Sequence, residues 1–115
     1  TVPTCVIDNV IEALKKHKAA APGLAVTDAL WSGFNGRVTA SQSREGLYRA
    51  QTPQGFDFKI ITQAHEKACQ NSVDDVQVAL DANIEVKIVP GSENNIKITM
   101  PDDFERARKI IEETI

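Results

Sequence analysis

The sequence is poor in cysteine, histidine and aromatic residues: two Cys, two His, one Trp, one Tyr and four Phe in 115 residues. Cys5 and Cys69 cannot form a disulfide framework, and with His17 and His65 standing apart they build no usual zinc site. There is no cationic surplus. Thirteen Lys and Arg against sixteen Asp and Glu give a formal charge of -3. Nucleic-acid binding driven by net charge is excluded, and only local basic patches remain. No apolar run approaches the roughly 20 residues of a membrane span. The opening residues, Thr1 to Thr4, contain no initiator Met and no basic n-region, so no signal peptide is read and a cytoplasmic protein is expected. Gly-rich phosphate loops of both common kinds and the nucleophile elbow are also absent. What is present is ordinary: 42% hydrophobic and 25% charged residues, enough for one domain with one modest core.

Periodicity gives an α/β order. Thr4 opens a helix whose apolar face is Ile7, Val10, Ile11 and Leu14. Lys15, Lys16, His17 and Lys18 suit its C-terminal end and read as a solvated terminus. Ala19 to Val26 is a short buried strand, interrupted by Pro22-Gly23. Residues 28 to 52 mix apolar and polar residues and predict a projecting β-hairpin with a five-residue connection, Ser32 to Gly36. Exposed Trp31 and Phe34 on such an arm need a surface to pack on, and a second copy of the chain is the economical partner.

Asp57 is a candidate N-cap, followed by a stripe of Ile61, Ala64, His65, Ala68 and Cys69. His65 reads as a boundary packing residue and Cys69 as a small buried hydrophobe. Ser72 and Asp75 have capping-box spacing, with Val76, Ala79 and Leu80 as the buried face. Ile84 to Val89 alternates as a half-buried strand, and Asn95 to Thr99 predicts another. Pro101, Asp102 and Asp103 begin a last helix with Phe104, Ala107, Arg108 and Ile111 on one face. Asp74-Asp75 is a conceivable Mg²⁺ pair, although acids in a first helical turn ordinarily complement the dipole. Arg44, Arg49 and Lys97 are possible phosphate ligands, although a lone surface cation is ordinarily just solvated.

Three ordered segments add to this reading. The run from Arg44 to Phe56, Arg-Glu-Gly-Leu-Tyr-Arg-Ala-Gln-Thr-Pro-Gln-Gly-Phe, resembles the central motif of 2-C-methyl-D-erythritol 4-phosphate cytidylyltransferases. Gly91 to Asp103, containing Asn95-Ile-Lys97-Ile-Thr99 and Met100-Pro-Asp-Asp103, resembles their closing motif. Val73-Asp74-Asp75 stands where the family has Thr-Asp-Asp or Thr-Asp-Glu. The likeness runs over essentially the whole chain.

The resemblance implies an enzyme of the non-mevalonate isoprenoid pathway that transfers CMP from CTP to the sugar phosphate, with Mg²⁺ on the phosphates. It also implies that this chain is the C-terminal half of a Rossmann-like cytidylyltransferase domain, with residues 28–52 as a dimerisation arm. The family's Gly-rich CTP loop does not occur in it. Asp28-Ala-Leu30 and the wording from Tyr48 to Phe56 resemble forms fused to a cyclodiphosphate synthase. By the same resemblance Arg44 grips the substrate phosphate across a homodimer, Lys97 contacts that phosphate and orients the attacking oxygen, and Thr52 hydrogen-bonds the substrate. Ala29 and Val73 replace family threonines, so two substrate contacts are lost. A pentitol-phosphate (ribitol 5-phosphate) cytidylyltransferase shares Thr-Pro-Gln and Asn-Ile-Lys, and Arg44-Glu-Gly-Leu favours the first family over it. A non-catalytic dimerisation or binding module is the alternative from another class. A half domain also exposes a sheet edge, so the chain alone is expected to be marginally stable or aggregation-prone.

Overall fold

The computed structural model describes residues 2–68 and 74–114. Helix α1 (Thr4–Leu14) leads into strand β1 (Ala19–Ala25), which organises the main sheet. Strands β2 (Leu30–Phe34) and β3 (Arg37–Gln42) form a separate hairpin. Strands β4 (Tyr48–Ala50) and β5 (Gly55–Phe56), helices α2 (Phe58–Lys67) and α3 (Asp75–Asp81), strand β6 (Lys87–Pro90) and helix α4 (Pro101–Thr114) follow.

Strand β1 pairs antiparallel with β4 and β5 and parallel with β6. Ala20 pairs with both Gly55 and Lys87, and Gly23 with both Ala50 and Pro90. So β4 and β5 share one flank of β1, and β6 takes the other. This explains why Pro22-Gly23 does not interrupt the strand. The Pro22 carbonyl accepts from Gln51 N on the β4–β5 flank. An N–H on Pro22 would point to that same flank, into the break between those two strands, so proline forfeits no ladder bond there.

Helix α1 lies across one face of this sheet. Val10, Ala20 and Val89 form the buried cluster, with Ala13 and Leu14 packed on it. Val6, not Ile11, completes the buried face of α1; Ile11 is 53% exposed. Gly55 is what lets α1 come this close. A Cβ there would stand 2.6 Å from Leu14 Cδ1 and 2.7 Å from Val10 Cγ1. At the other end of β5, Asp57 N donates to Lys18 O, and the Asp57 carboxylate accepts from Ile60 N at 3.1 Å, the expected N-cap of α2. Lys15, Lys16, His17 and Lys18 are exposed, as expected for a solvated helix end.

The hairpin differs from expectation at its turn. The connection is two residues, Asn35-Gly36, with φ of 52° and 74°; Ser32, Gly33 and Phe34 are paired in β2, and the register shifts between Ser32 and Gly33. Positive φ at both central positions matches the right-handed twist of the strands, and Asn-Gly tolerates it best. Trp31 and Phe34 are 67% and 71% exposed, as the arm reading requires. Tyr48 to Ala50 lies within the 28–52 stretch but joins the main sheet as β4, so the hairpin proper is β2 and β3. The radius of gyration, 16.7 Å, exceeds the roughly 13 Å of a compact domain this long, in keeping with an arm that stands clear of the body.

Other expectations shift. In α3 the buried residues are Val78 and Ala79, whereas Val76 is half-buried and Leu80 exposed. Its N-cap is Asp74, which accepts from Gln77 N at 2.9 Å. The capping role read for Ser72 therefore falls to Asp74; Ser72 itself, with Cys69 and Val73, lies outside the described residues. His65 is exposed rather than packed, and its Nε2 lies 3.0 Å from Asp75 Oδ1. The strand read at Ile84 to Val89 begins only at Lys87, with Val89 turned to the covered face and Ile88 to the open one.

Residues 95–99 form no strand. Their apolar alternation is real, but side chains take up backbone groups a ladder would use: Asn95 O accepts from Gln51, and Thr99 N donates to Asp103. In α4 only Ala107 is buried; Phe104, Arg108 and Ile111 are not.

Replacing Gly55 by Ala is expected to destabilise the fold by about 1–3 kcal/mol through overpacking against α1. Urea unfolding of the whole protein reads this directly, and an unchanged midpoint would show that α1 does not rest on that glycine.

Candidate active site

Two loops leave strands that flank β1 on opposite sides and end level with Gly23. Residues 51–54 follow β4, and residues 91–99 follow β6. With the first turns of α3 and α4 they enclose a cleft of about 870 Å³. It lies beyond the C-terminal end of β6, where α/β sheets ordinarily bind ligands, and its size suits a small molecule.

The lining is strongly charged. Arg49, Lys97 and Arg106 face it together with Asp74, Asp75, Glu93 and Asp103. Most of these charges are committed. Arg49 Nη2 donates to Glu93 Oε1 at 2.6 Å, and Arg106 Nη1 lies 3.5 Å from Asp103 Oδ1. Asp74 caps α3, and Asp75 faces His65. Both partners of the Arg49–Glu93 pair are well exposed, so the pair contributes at most about 1 kcal/mol and can open at little cost. Among the described residues Lys97 has no carboxylate partner, which leaves it as the lining cation free to meet an anion.

Asp103 holds the far wall. Its Oδ2 accepts from Thr99 N and Met100 N, both at 2.9 Å. This is the reverse half of a capping box: an acid at the third helical position reaches back to the amides that precede the helix. The Met100 amide, then that of Thr99, lowers the Asp103 pKa from its ordinary value; slight loss of hydration opposes this, and Arg106 adds to it. The segment carrying Lys97 is thereby pinned to the start of α4.

Thr52 and Lys97 line the same cleft. The Thr52 hydroxyl has no hydrogen-bond partner among the described residues, while its carbonyl accepts from Asn95 Nδ2 at 2.6 Å. Arg44 is elsewhere. It opens a turn closed by Leu47 N donating to Arg44 O, is exposed, and does not line the cleft of its own chain. Sequence reasoning did not single out Gln51, Glu93, Asn95, Asp103 or Arg106 as site residues. All but Arg106 lie within the two long motifs, which is the signal that would have found them.

A second cavity, about 520 Å³ and mostly apolar, lies against α2 and shares Asp75 with the cleft. It holds few polar groups to orient a substrate. No described residues group three or more potential metal ligands, and no described helix is long and apolar enough to cross a membrane.

The family model for 2-C-methyl-D-erythritol 4-phosphate cytidylyltransferase matches residues 1–113. The chain belongs to that family. It is 56% identical over 110 residues to the 2-C-methyl-D-erythritol 4-phosphate cytidylyltransferase of Roseobacter denitrificans, covering 96% of this chain and 50% of that protein. It is 54% identical over 110 residues to the bifunctional enzyme IspD/IspF of a Ruegeria species, covering 96% of this chain and 29% of that protein. The chain thus spans half or less of the length of these relatives. Among solved structures, the cytidylyltransferase of Thermus thermophilus superposes with a TM-score of 0.90 at 30% identity, over 96% of this chain and 56% of that one. The bifunctional IspDF of Campylobacter jejuni gives 0.75 at 27% identity, over 91% and 27%. The α/β architecture expected from the sequence is the fold of these nucleotidyltransferases.

Asp103 has a depressed pKa in the folded state, so its contribution to stability is complete above the unfolded value and is lost as pH falls through the folded one. Below about pH 4, Asp103→Asn is therefore expected to lose less stability on acidification than the parent. Parallel unfolding curves across that range test it, and identical pH slopes would remove Asp103 from the account.

Proposed function

We propose that this chain is the C-terminal half of a cytidylyltransferase domain that moves CMP from CTP to 2-C-methyl-D-erythritol 4-phosphate, in the cytoplasm. The observation that carries the reading is the pairing of a family match over nearly the whole chain with one cleft holding Thr52 and Lys97, which has no carboxylate partner among the described residues. In the reaction an oxygen of the sugar phosphate attacks the α-phosphorus of CTP. A new P–O bond forms, the bond to the pyrophosphate oxygen breaks, and pyrophosphate leaves with the electron pair. Such transfer depends on positioning and charge neutralisation more than on covalent chemistry.

Lys97 places a mobile point charge where the acceptor phosphate and the α-phosphate converge. Thr52 offers its hydroxyl to the substrate from the facing wall. Arg44 suits a bidentate grip on phosphate, and its place outside the cleft of its own chain supports service to a second protomer. The β2–β3 hairpin with Trp31 and Phe34 provides the surface for that homodimer. Magnesium belongs to the proposal as cofactor of the whole enzyme, but the described residues of this chain do not fit a site for it. Asp74, Asp75 and Asp103 all have polar partners within the protein, and no group of three ligands converges among the described residues. The binding of the CTP phosphates is likewise assigned to the remainder of the enzyme.

In the complete enzyme, Arg44→Ala and Lys97→Ala are each expected to lower kcat/KM for the sugar phosphate by about 10²–10³-fold, the range for losing one transition-state donor. CTP affinity should be nearly unchanged in a binding titration. Near-normal turnover of either variant overturns the assignment, and preference for ribitol 5-phosphate overturns the substrate. If Arg44 acts across the dimer, mixing the two variants in equal amounts restores about a quarter of the sites, because half the dimers are mixed and each holds one intact site.

A further inference from the structure

We propose that Gln51 is a positioning residue for the transfer reaction: its side-chain amide locks the segment bearing Thr52 to the turn that leads into Lys97. The proposal rests on the cytidylyltransferase reading above.

Gln51 begins from a fixed point. Its backbone N–H donates to Pro22 O at 2.9 Å, anchoring it to the central strand. From there the half-buried side chain reaches the turn after β6. Ser92 N donates to Gln51 Oε1 at 3.0 Å, and Gln51 Nε2 donates to Ser92 O at 2.8 Å. The same nitrogen donates to Asn95 O at 3.2 Å. Asn95 closes the loop by donating through Nδ2 to Thr52 O at 2.6 Å. Four hydrogen bonds thus join residues 51 and 52 to residues 92–95, where no strand pairing connects them.

The carboxamide does here what a neighbouring strand would do. It offers one acceptor and one donor to the N–H and C=O of a single residue, Ser92. Glu at position 51 lacks the donor, and Leu lacks both groups. Asn is one methylene too short to reach from the same anchor. The facing backbone is also shaped for it: a Cβ on Gly91 would collide with Gln51 Oε1, and Gly91 N is itself held by Gly23 O.

The consequence falls on Lys97. A lysine head group on a flexible four-carbon stem is directed mainly by where its backbone stands. That backbone is fixed on one side by Asp103 and on the other, two residues away, by the Gln51–Asn95 lock. Without the lock the Ser92 and Asn95 carbonyls lose partners, and the turn is free to shift relative to Thr52. A displacement of about 1 Å at a reacting group can cost about 10²-fold in rate.

The test uses the complete enzyme with CTP and the sugar phosphate. Gln51→Leu is expected to lower kcat by about 10- to 100-fold, with the KM for CTP changed less than about threefold. Added to Lys97→Ala, it should lower kcat less than about twofold further, because both act through one group. Amide hydrogen exchange at Ser92 should accelerate in Gln51→Leu and stay slow in Gln51→Glu, whose carboxylate still accepts that N–H. If Gln51→Leu fails to fold, Asn95→Asp, which keeps size and acceptor but cannot donate to Thr52 O, carries the same double-mutant cycle. Full activity in these variants, or a loss of undiminished size on the Lys97→Ala background, overturns the proposal. An unmutated enzyme that turns over ribitol 5-phosphate but not the methylerythritol phosphate overturns the substrate reading and this one with it. A normal parent rate with an additive cycle overturns only the role of Gln51.

Discussion

Strand β1 must accept hydrogen-bonding partners on both edges and a helix on one face, and the rest of the structure hangs from that requirement. Its residues, Ala-Ala-Ala-Pro-Gly-Leu-Ala, are mostly too small to hold neighbours apart. The close approach of α1 over Ala20 and Gly55 follows, as does the alignment of β4, β5 and β6 along one strand. Because β4 and β6 both end level with Gly23, on opposite sides of β1, the loops that leave them start at one level of the sheet, and the Gln51 side chain spans from one to the other. The cleft is the space between those loops.

The electrostatics of that cleft depend on exclusion as much as on attraction. Four carboxylates line a site read here as meeting phosphates, which would repel substrate if they were free. They are not free. Two serve helix starts, one faces a histidine, and one holds an arginine. The acids therefore act as structural acceptors that fix the walls, and among the described residues Lys97 is the lining cation with no carboxylate partner.

The parts legible in the sequence were those where one residue type has one cheap solution. Asp57 caps α2, the acids at 102 and 103 open α4, and Trp31 and Phe34 stand on an exposed hairpin. The long motifs located Thr52 and Lys97, which the fold then brings together. What failed was orientation. Helices α3 and α4 carry apolar residues on more than one side, so periodicity alone put Leu80, Phe104 and Ile111 inside. The 95–99 segment alternates like a strand, yet Gln51 and Asp103 have already taken backbone groups it would need. Pro22 looked like a break because its position in the sheet, opposite a gap in the neighbouring flank, is a tertiary fact. The five-residue connection was an overreading of Ser32 to Gly36, where Asn35-Gly36 alone makes the turn.

The Asn35-Gly36 turn also bears on the order in which the molecule assembles. A two-residue connection closes a hairpin in microseconds at small entropic cost, whereas the β1–β6 pairing must bring Ala20 and Lys87 together across most of the chain. The arm is thus a local event and the cleft a global one. The turn that presents Trp31 and Phe34 depends only on nearby residues, whereas the cleft depends on strands distant in the chain.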